Sequence, residues 1–272
     1  MSHRTHTVGV FDSGVGGLSV LRALLAELPQ ARFVYVADRA FAPYGERTVD
    51  EVTDRSQRIA AQLRREYPLD VMVVACNTAT AQSIDALRLT HHDLPFVGVE
   101  PALKPAAALS RTRHIGVMAT RGTLESSRYR RLQERLQHGS DAHRPHFHNQ
   151  ACDGLADAIE RGDQAQTRAL CERYVGALQR QAPEDAPIDT LVLGCTHYPF
   201  EAALLQTLCG PTVHLVETGA PVARRTREVL HERPPRASIP LARLTLLSTS
   251  EPEALSAVAL RWLGETTPAS LW

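Results

Sequence analysis

Short apolar runs alternate with amphipathic stretches along most of the chain. The runs are rich in β-branched residues, whereas the segment after the first run carries Leu18, Leu21 and Leu25 at the spacing of one helix face. Apolar runs that are separated by helices are typical of parallel strands buried on both faces. The pattern therefore predicts an α/β fold, with strands at 7–11, 33–38, 71–75, 96–99, 115–119, 191–194, 213–216 and 244–248.

The chain also contains an internal repeat. Residues 68–78 align without a gap with residues 187–197, and identical Pro, Asp, Val and Cys residues fall in register. Residues 8–13 resemble residues 115–120 in the same way. A gapless match that keeps Pro, Asp and Cys in register is unusual for two unrelated apolar strands. We therefore expect two pseudo-symmetric lobes, each a mainly parallel sheet flanked by helices.

One cysteine of each repeat, Cys76 or Cys195, follows directly after a predicted strand. Ligands bind at the carboxyl ends of the strands in open α/β sheets, and a following helix N-terminus lowers the pKa of a thiol. If the lobes face each other, two such thiols can act on opposite faces of one carbon, which is what two-base racemisation needs. We therefore expect an active site in the inter-lobe cleft. The other explanation is that both are small buried apolar residues, as we expect for Cys152, Cys171 and Cys209.

Composition narrows the class of protein. Of 272 residues, 43% are hydrophobic and 22% are charged, which is ordinary for a globular protein. The 30 basic residues balance the 30 acidic ones, so a nucleic-acid partner is not expected. No apolar run approaches the roughly 18 residues of a membrane span, and the N-terminus lacks the layout of a signal peptide. Five cysteines without a C-x-x-C pair argue against a disulfide framework, so we expect a cytoplasmic protein without membrane association.

The sequence does not indicate a site for a cofactor. Lys104 is the only lysine, and a pyridoxal phosphate enzyme needs a lysine for its Schiff base. Residues 138–148 hold four histidines and an aspartate, but their Gly, Ser and Pro content predicts a solvated loop rather than a metal site. We therefore expect no pyridoxal phosphate and no metal.

Four motifs, taken in order, resemble those of the cofactor-independent glutamate racemases of the aspartate/glutamate racemase family. They are D-S-G-V-G-G (12–17), P-Y-G (43–45), A-C-N-T-A-T (75–80) and G-C-T-H-Y-P (194–199), and residues 248–264 also resemble the family's ending. The resemblance implies an isomerase that interconverts L- and D-glutamate without a cofactor. It further implies a supply of D-glutamate for peptidoglycan, and hence for the cell wall and cell shape, and a homodimer as is common in the family.

The resemblance assigns roles to individual residues. Cys76 and Cys195 become the catalytic acid/bases, Asp12 accompanies the first and His197 the second, and Glu160 matches a family glutamate near the second cysteine. The polar segment 152–160 departs from the family pattern around Glu160. The expected substrate contacts are Asp12, Ser13, Tyr44, Gly45, Asn77, Thr78, Thr120, Thr123, Thr196 and His197. Of these, Thr120 and Thr123 follow the repeated strand of the second lobe.

Taken alone, several of these residues have simpler explanations. Asp12 could be the N-cap of the first helix, His197 a buried hydrogen-bonded histidine, and Glu160 an exposed helix carboxylate. By resemblance, the first lobe comprises residues 1–98 plus 210–272 and the second residues 99–209.

Three other functions stay open. One is racemisation of aspartate or another acidic amino acid by the same paired cysteines. Another is a thiol hydrolase that uses Cys195 with His197, although a spacing of two residues is awkward for that pair and Cys76 would have no role. The third is a two-lobed binding protein.

Overall fold

The computed structural model describes residues 5–138, 144–236 and 242–272. The chain forms two compact units: the first runs to Val99 and resumes at Gly219, and the second is Glu100–Thr218. The predicted point at which the chain returns to the first lobe is residue 210. The structure places this return later because the strand His214–Val216 pairs with a strand of the second unit.

The described residues form ten strands and eleven helices, and none of these helices is both long and apolar enough to cross a membrane. In chain order the elements are β1 Thr7–Asp12, α1 Leu18–Glu27, β2 Arg32–Ala37, α2 Val49–Glu66, β3 Val71–Val74, α3 Asn77–Thr90, β4 Phe96–Gly98, α4 Leu103–Leu109, β5 His114–Ala119, α5 Arg121–Leu124, α6 Ser127–Gln137, β6 His146–Ala151, α7 Leu155–Glu160, α8 Gln164–Gln179, β7 Thr190–Gly194, α9 Ala202–Cys209, β8 His214–Val216, α10 Gly219–His231, β9 Leu244–Ser248, α11 Pro252–Leu263 and β10 Ala269–Leu271.

The first unit is built on a parallel sheet in the order β10-β9-β2-β1-β3-β4. Phe11 of β1 and Met72 of β3 pack in one apolar cluster with residues of α2 and α3, while Val8 and Val10 are fully buried as well. Because successive side chains of a strand point to opposite faces, β1 is covered on both faces. This explains the continuous apolar runs of the sequence.

The second unit repeats this plan with a parallel sheet in the order β6-β5-β7-β8. Met118 and Leu193 pack with α8 and α9, whereas Val117 and Val192 pack with α4 and α6. The order β2-β1-β3-β4 of the first unit matches β6-β5-β7-β8, with β5 and β7 at the repeat positions of β1 and β3. The prediction of two related α/β lobes is therefore confirmed.

The repeated aspartates anchor the amino ends of these sheets. Asp70 accepts from the backbone N–H of Thr7 at 2.8 Å, where β1 begins. Asp189 accepts from Ser110 Oγ at 2.6 Å and from the backbone N–H of Thr112 at 3.0 Å, just before β5. In each repeat the aspartate therefore fixes one end of the sheet, and the cysteine stands at the opposite end.

Two strands were missing from the prediction. β6 has the polar sequence H-F-H-N-Q-A, and β10 has only three residues; each pairs with one strand, at the edge of its sheet. The predicted loop at 138–148 is thus wrong for residues 146–148, which pair in parallel with β5. Residues 139–143 lie outside the described residues.

Candidate active site

Asp12 is the last residue of β1, and its carboxylate is fully buried at the carboxyl end of the first sheet. The backbone N–H of Gly14 donates to Asp12 Oδ1 at 2.8 Å. A Cβ on Gly17 would lie 2.5 Å from Asp12 Cβ, so the glycine lets the D-S-G-V-G-G loop fold closely over the carboxylate. Helix α1 has Gly17 at its N-cap and no side-chain cap. Asp12 is therefore not the N-cap of this helix.

Cys76 lies directly beyond β3 and is the N-cap of the 14-residue helix α3. Its Sγ accepts from the backbone N–H of Ala79 at 3.4 Å, and Ser13 Oγ lies 3.5 Å from the same sulfur. The N-terminus of a helix carries a partial positive charge and favours a thiolate over a thiol. This environment suits a thiol that must act as a base.

Asn77 and Thr78 begin α3 and are almost completely buried. Neither amide atom of Asn77 has a hydrogen-bond partner among the residues that the structure describes. A buried polar group without a partner costs about 1–3 kcal/mol. An amide held in this state next to Cys76 has both a donor and an acceptor available to a ligand.

Tyr44 and Gly45 lie in a short 3-10 turn, Tyr44–Glu46. The Tyr44 hydroxyl donates to Asp38 Oδ2 at 2.7 Å, and Arg55 donates to both oxygens of the same carboxylate. Burial and then the charge of Asp38 raise the pKa of Tyr44 well above its ordinary value, so the hydroxyl stays protonated. The hydroxyl is thus bound to Asp38, and a ligand would meet mainly the backbone of this turn. Asp38 and Arg55 lie outside every motif of the sequence and were not predicted as site residues.

Cys195 lies at the equivalent place in the second unit, directly beyond β7. A Cβ on Gly194 would lie 2.8 Å from the carbonyl oxygen of Met118, so the glycine allows β7 to approach β5 closely. His197 Nδ1 lies 3.7 Å from Cys195 Sγ, and His197 Nε2 lies 2.7 Å from Glu160 Oε2. His197 therefore contacts Cys195 although only one residue separates them in the sequence.

Glu160 is the last residue of α7, and only 12% of its side chain is exposed. It is not the exposed helix carboxylate that its position suggested. Two polar residues of the segment that departs from the family pattern form separate ion pairs, Asp153 with Arg121 and Asp157 with Arg161. They leave the contact between Glu160 and His197 intact.

The surroundings of His197 favour its charged form. Burial by itself lowers the pKa of the imidazole, but hydrogen bonds to Cys195 and Glu160, together with their negative charges, outweigh it and raise the pKa well above its ordinary value. The imidazolium thus places a positive charge 3.7 Å from Cys195 Sγ. Each unit thus pairs its cysteine with positive potential, from a helix N-terminus in the first and from a histidine in the second.

The three threonines predicted in the second unit lie at the same edge of its sheet. Thr120 is the N-cap of α5, and its Oγ1 lies 2.9 Å from Oγ1 of Thr123. Thr120 follows Ala119, which pairs in register with Gly194, the residue before Cys195. Thr123 and Thr196 are buried.

The remaining cysteines have the properties of packed thiols. Burial raises the pKa of Cys152 well above its ordinary value, that of Cys171 to about 12 and that of Cys209 to about 11. Such thiols are unreactive near neutral pH. In the described parts of the chain, no group of three or more His, Cys, Asp or Glu side chains has an arrangement that could hold a metal ion.

Comparison with known proteins identifies relatives of this chain. The family model "Asp/Glu/Hydantoin racemase" matches residues 12–224. A glutamate racemase of Pseudomonas paraeruginosa is 43% identical over 260 residues, which cover 95% of this chain and 94% of that protein.

Solved structures give the same result. A glutamate racemase isoform from Bacillus anthracis superposes with a TM-score of 0.84 at 29% identity, covering 99% of this chain and 98% of the other. The Escherichia coli glutamate racemase, solved in complex with L-glutamate and the activator UDP-MurNAc-Ala, superposes with a TM-score of 0.80 at 33% identity, covering 97% of both chains. With its sequence motifs, its duplicated α/β architecture and these matches over most of its length, the chain belongs to the Asp/Glu/Hydantoin racemase family.

Proposed function

We propose that this protein is a glutamate racemase in which Cys76 and Cys195 act on opposite faces of the α-carbon of glutamate. One observation carries the proposal. In each unit, the cysteine at the carboxyl end of the repeated strand contacts a group of positive potential, the N-terminus of α3 for Cys76 and His197 for Cys195. The similarity to curated glutamate racemases over 95% of the chain supports glutamate as the substrate.

The proposed reaction moves one proton on each face of the substrate. The thiolate of one cysteine takes the α-proton, so that the C–H bond breaks, an S–H bond forms and the electron pair stays on the α-carbon. The thiol of the other cysteine then donates its proton to the opposite face, which inverts the centre and leaves that cysteine as the thiolate. The two cysteines have exchanged protonation states, so the next turnover runs from the product's side.

The proposed substrate contacts supply donors for two carboxylates. Ser13, Asn77 and Thr78 lie around Cys76, and Thr196 adjoins Cys195, all buried and close to helix starts or strand ends. The other proposed contacts are Asp12, Tyr44, Gly45, Thr120, Thr123 and His197. Glu160 acts through His197 and is proposed as a positioning residue. We propose that the reaction uses no pyridoxal phosphate and no metal, and that the enzyme supplies D-glutamate for peptidoglycan in the cytoplasm; the homodimer stays a prediction.

The test is isotope exchange with purified protein, without added pyridoxal phosphate or metal. Wild-type enzyme should interconvert L- and D-glutamate and exchange the α-proton with solvent deuterium. Cys76→Ser and Cys195→Ser should each block exchange from one enantiomer more severely than from the other. Cys171→Ser, at a packed thiol, is the matched control and should exchange both enantiomers as the wild type does. Equal and mild losses in both catalytic variants would refute the two-base assignment.

The same preparation separates the proposal from racemisation of aspartate or another acidic amino acid. The ratio of kcat/KM for glutamate to kcat/KM for aspartate should favour glutamate. A ratio that favours aspartate would replace the substrate but keep the mechanism.

The 3.7 Å contact between Cys195 and His197 favours one second candidate, a thiol hydrolase. In that case a covalent acyl-enzyme on Cys195 should be detectable by mass spectrometry, and Cys76→Ser should have little effect. A binding protein would instead bind glutamate without exchanging its α-proton.

A further inference from the structure

An ion pair in the first unit, in which Asp38 is fully buried and the Arg55 side chain is 30% exposed, lies next to the proposed site without belonging to it. Asp38 follows β2, is fully buried, and donates its backbone N–H to the carbonyl of Asp12 at 2.9 Å. Arg55 of α2 binds its carboxylate through two hydrogen bonds, Nε to Oδ2 at 2.8 Å and Nη2 to Oδ1 at 2.6 Å. Tyr44 donates a third hydrogen bond, to Oδ2 at 2.7 Å. Such bidentate, charge-assisted contacts fix geometry as well as charge.

Tyr44 connects this ion pair to the cysteine. Its ring packs against Phe11 and Phe41, with ring centroids 6.3 and 5.9 Å away, and belongs to the same apolar cluster as Cys76. The charge on Asp38 and a charge on Cys76 both act on the Tyr44 hydroxyl. Tyr44 therefore contacts the Asp38 carboxylate directly and packs in the same apolar cluster as Cys76.

We propose that Arg55 and Asp38 are positioning residues for the proposed racemase reaction. The pair holds the Tyr44–Gly45 turn in place, and Arg55 cancels a buried negative charge near Cys76. This inference rests on the proposed function for its catalytic consequence only. Neither Arg55 nor Asp38 is assigned to substrate itself, but Asp38 is hydrogen-bonded to two residues that are, Tyr44 and Asp12.

The physical reason is the asymmetry of buried ion pairs. If Arg55 is removed, Asp38 remains as an uncompensated buried charge, whereas the removal of both charges leaves a neutral pair. A like charge near a thiol disfavours the thiolate and raises the pKa of the thiol. Other ionisable groups next to this pair include Asp12, Tyr44 and Arg47, whose guanidinium lies 4.3 Å from the centre of the Phe41 ring, and all three are kept in the variants below.

The experiment compares Arg55→Met, the double variant Asp38→Asn/Arg55→Met and a control, Arg58→Met. Arg58 lies on the same helix and forms an ion pair with Asp54. The side chain of Arg58 is 71% exposed and that of Asp54 is 63% exposed. The first readout uses no substrate: the rate of alkylation of Cys76 by iodoacetamide against pH, followed on its peptide by mass spectrometry. In Arg55→Met the midpoint should move up by about one pH unit, and in the double variant it should return towards the wild-type value.

The second readout is the KM for glutamate. Arg55→Met should raise it about tenfold, as expected for the loss of about 1.4 kcal/mol of contacts when the turn is released, whereas Arg58→Met should not change it. If Arg55→Met does not fold, Arg55→Lys serves in its place. Lysine keeps the charge but not the bidentate geometry, so KM should rise while the alkylation midpoint stays near that of the wild type.

The outcomes separate this inference from the proposed function. Where Arg55→Met folds, alkylation profiles that overlay in all variants, or a midpoint that the double variant does not restore, would overturn the inference even if the wild type racemises glutamate. Where Arg55→Lys takes its place, an unchanged KM would overturn it. A wild type without racemase activity would overturn the proposed function, and the alkylation profiles would still decide the role of Arg55.

Discussion

The contact between Glu160 and His197 makes a quantitative prediction. Glu160 Oε2 lies 2.7 Å from His197 Nε2, and the two side chains are only 12% and 7% exposed. Glu160→Gln keeps the shape and an acceptor oxygen but removes the charge. A hydrogen bond to a charged group contributes about 1.5–3 kcal/mol, against about 0.5–1.5 kcal/mol for a neutral one. The difference of about 1–2 kcal/mol corresponds to a fall of about one unit in the pKa of His197.

The direct assay is an NMR titration of the His197 imidazole. The wild-type imidazole should titrate well above its ordinary pKa of about 6.5, and the Glu160→Gln imidazole about one unit lower than the wild type. Asp157→Asn is the matched control, because Asp157 lies on the same helix and pairs with Arg161 instead. It should leave the titration unchanged.

The same substitution should move a stability transition. Because the folded-state pKa of His197 is raised, its contribution to stability is fully present below the unfolded pKa and is lost as the pH rises through the folded value. In Glu160→Gln this loss should therefore begin at lower pH. An identical His197 titration in the wild type and in Glu160→Gln would refute the assignment of the raised pKa to this carboxylate.

Three further substitutions, the first with its own control, test the packing and electrostatics of the second unit. Gly194→Ala places a Cβ 2.8 Å from the carbonyl oxygen of Met118 and should lower the free energy of unfolding by about 1–3 kcal/mol. The control is Gly176→Ala in the interior of α8, which should be neutral or stabilising. Urea unfolding measures both free energies. Asp189→Asn should destabilise by about 1–2 kcal/mol at pH 7. Burial opposes the charge of Asp189, but its hydrogen bonds lower the pKa, so the difference from the wild type should vanish as the pH falls through the folded value. Burial and neighbouring imidazoles lower the pKa of His148, so the wild type should lose stability as the pH falls below about 6.5. Thermal unfolding of His148→Gln should show a smaller loss of stability over the same pH range. An equal loss in the two proteins would contradict the prediction.

The fold was predictable where packing imposes a simple pattern. All eight predicted strands overlap strands of the structure, because parallel strands covered on both faces must be apolar at every position. β6 and β10 escaped the prediction because a strand with one partner at a sheet edge can be polar or very short. The boundary near residue 210 was misplaced for a related reason: β8 is a three-residue edge strand, and only its pairing with β7 shows which unit it joins.

The site was predictable in its positions but not in its contacts. The repeat places Cys76 and Cys195 at equivalent strand ends, and this can be read from the sequence. The ion pair of Arg55 with Asp38 joins side chains 17 residues apart, and the contact of His197 with Glu160 joins side chains 37 residues apart. No local periodicity encodes such contacts. They follow from how α2 and α7 pack on their sheets.

The duplication also explains why the two thiols differ in chemistry although they are equivalent in position. In the first unit a helix of 14 residues begins directly at Cys76, and the backbone supplies the positive potential. In the second, Cys195 is followed by a 3-10 turn, Tyr198–Glu201, before α9, and His197 supplies the charge instead. A helix N-terminus does not titrate, whereas an imidazolium does. Loss of the His197 charge at alkaline pH should therefore impair the racemase reaction in both directions, because each direction uses Cys195, whereas the positive potential of the helix N-terminus at Cys76 should not change with pH.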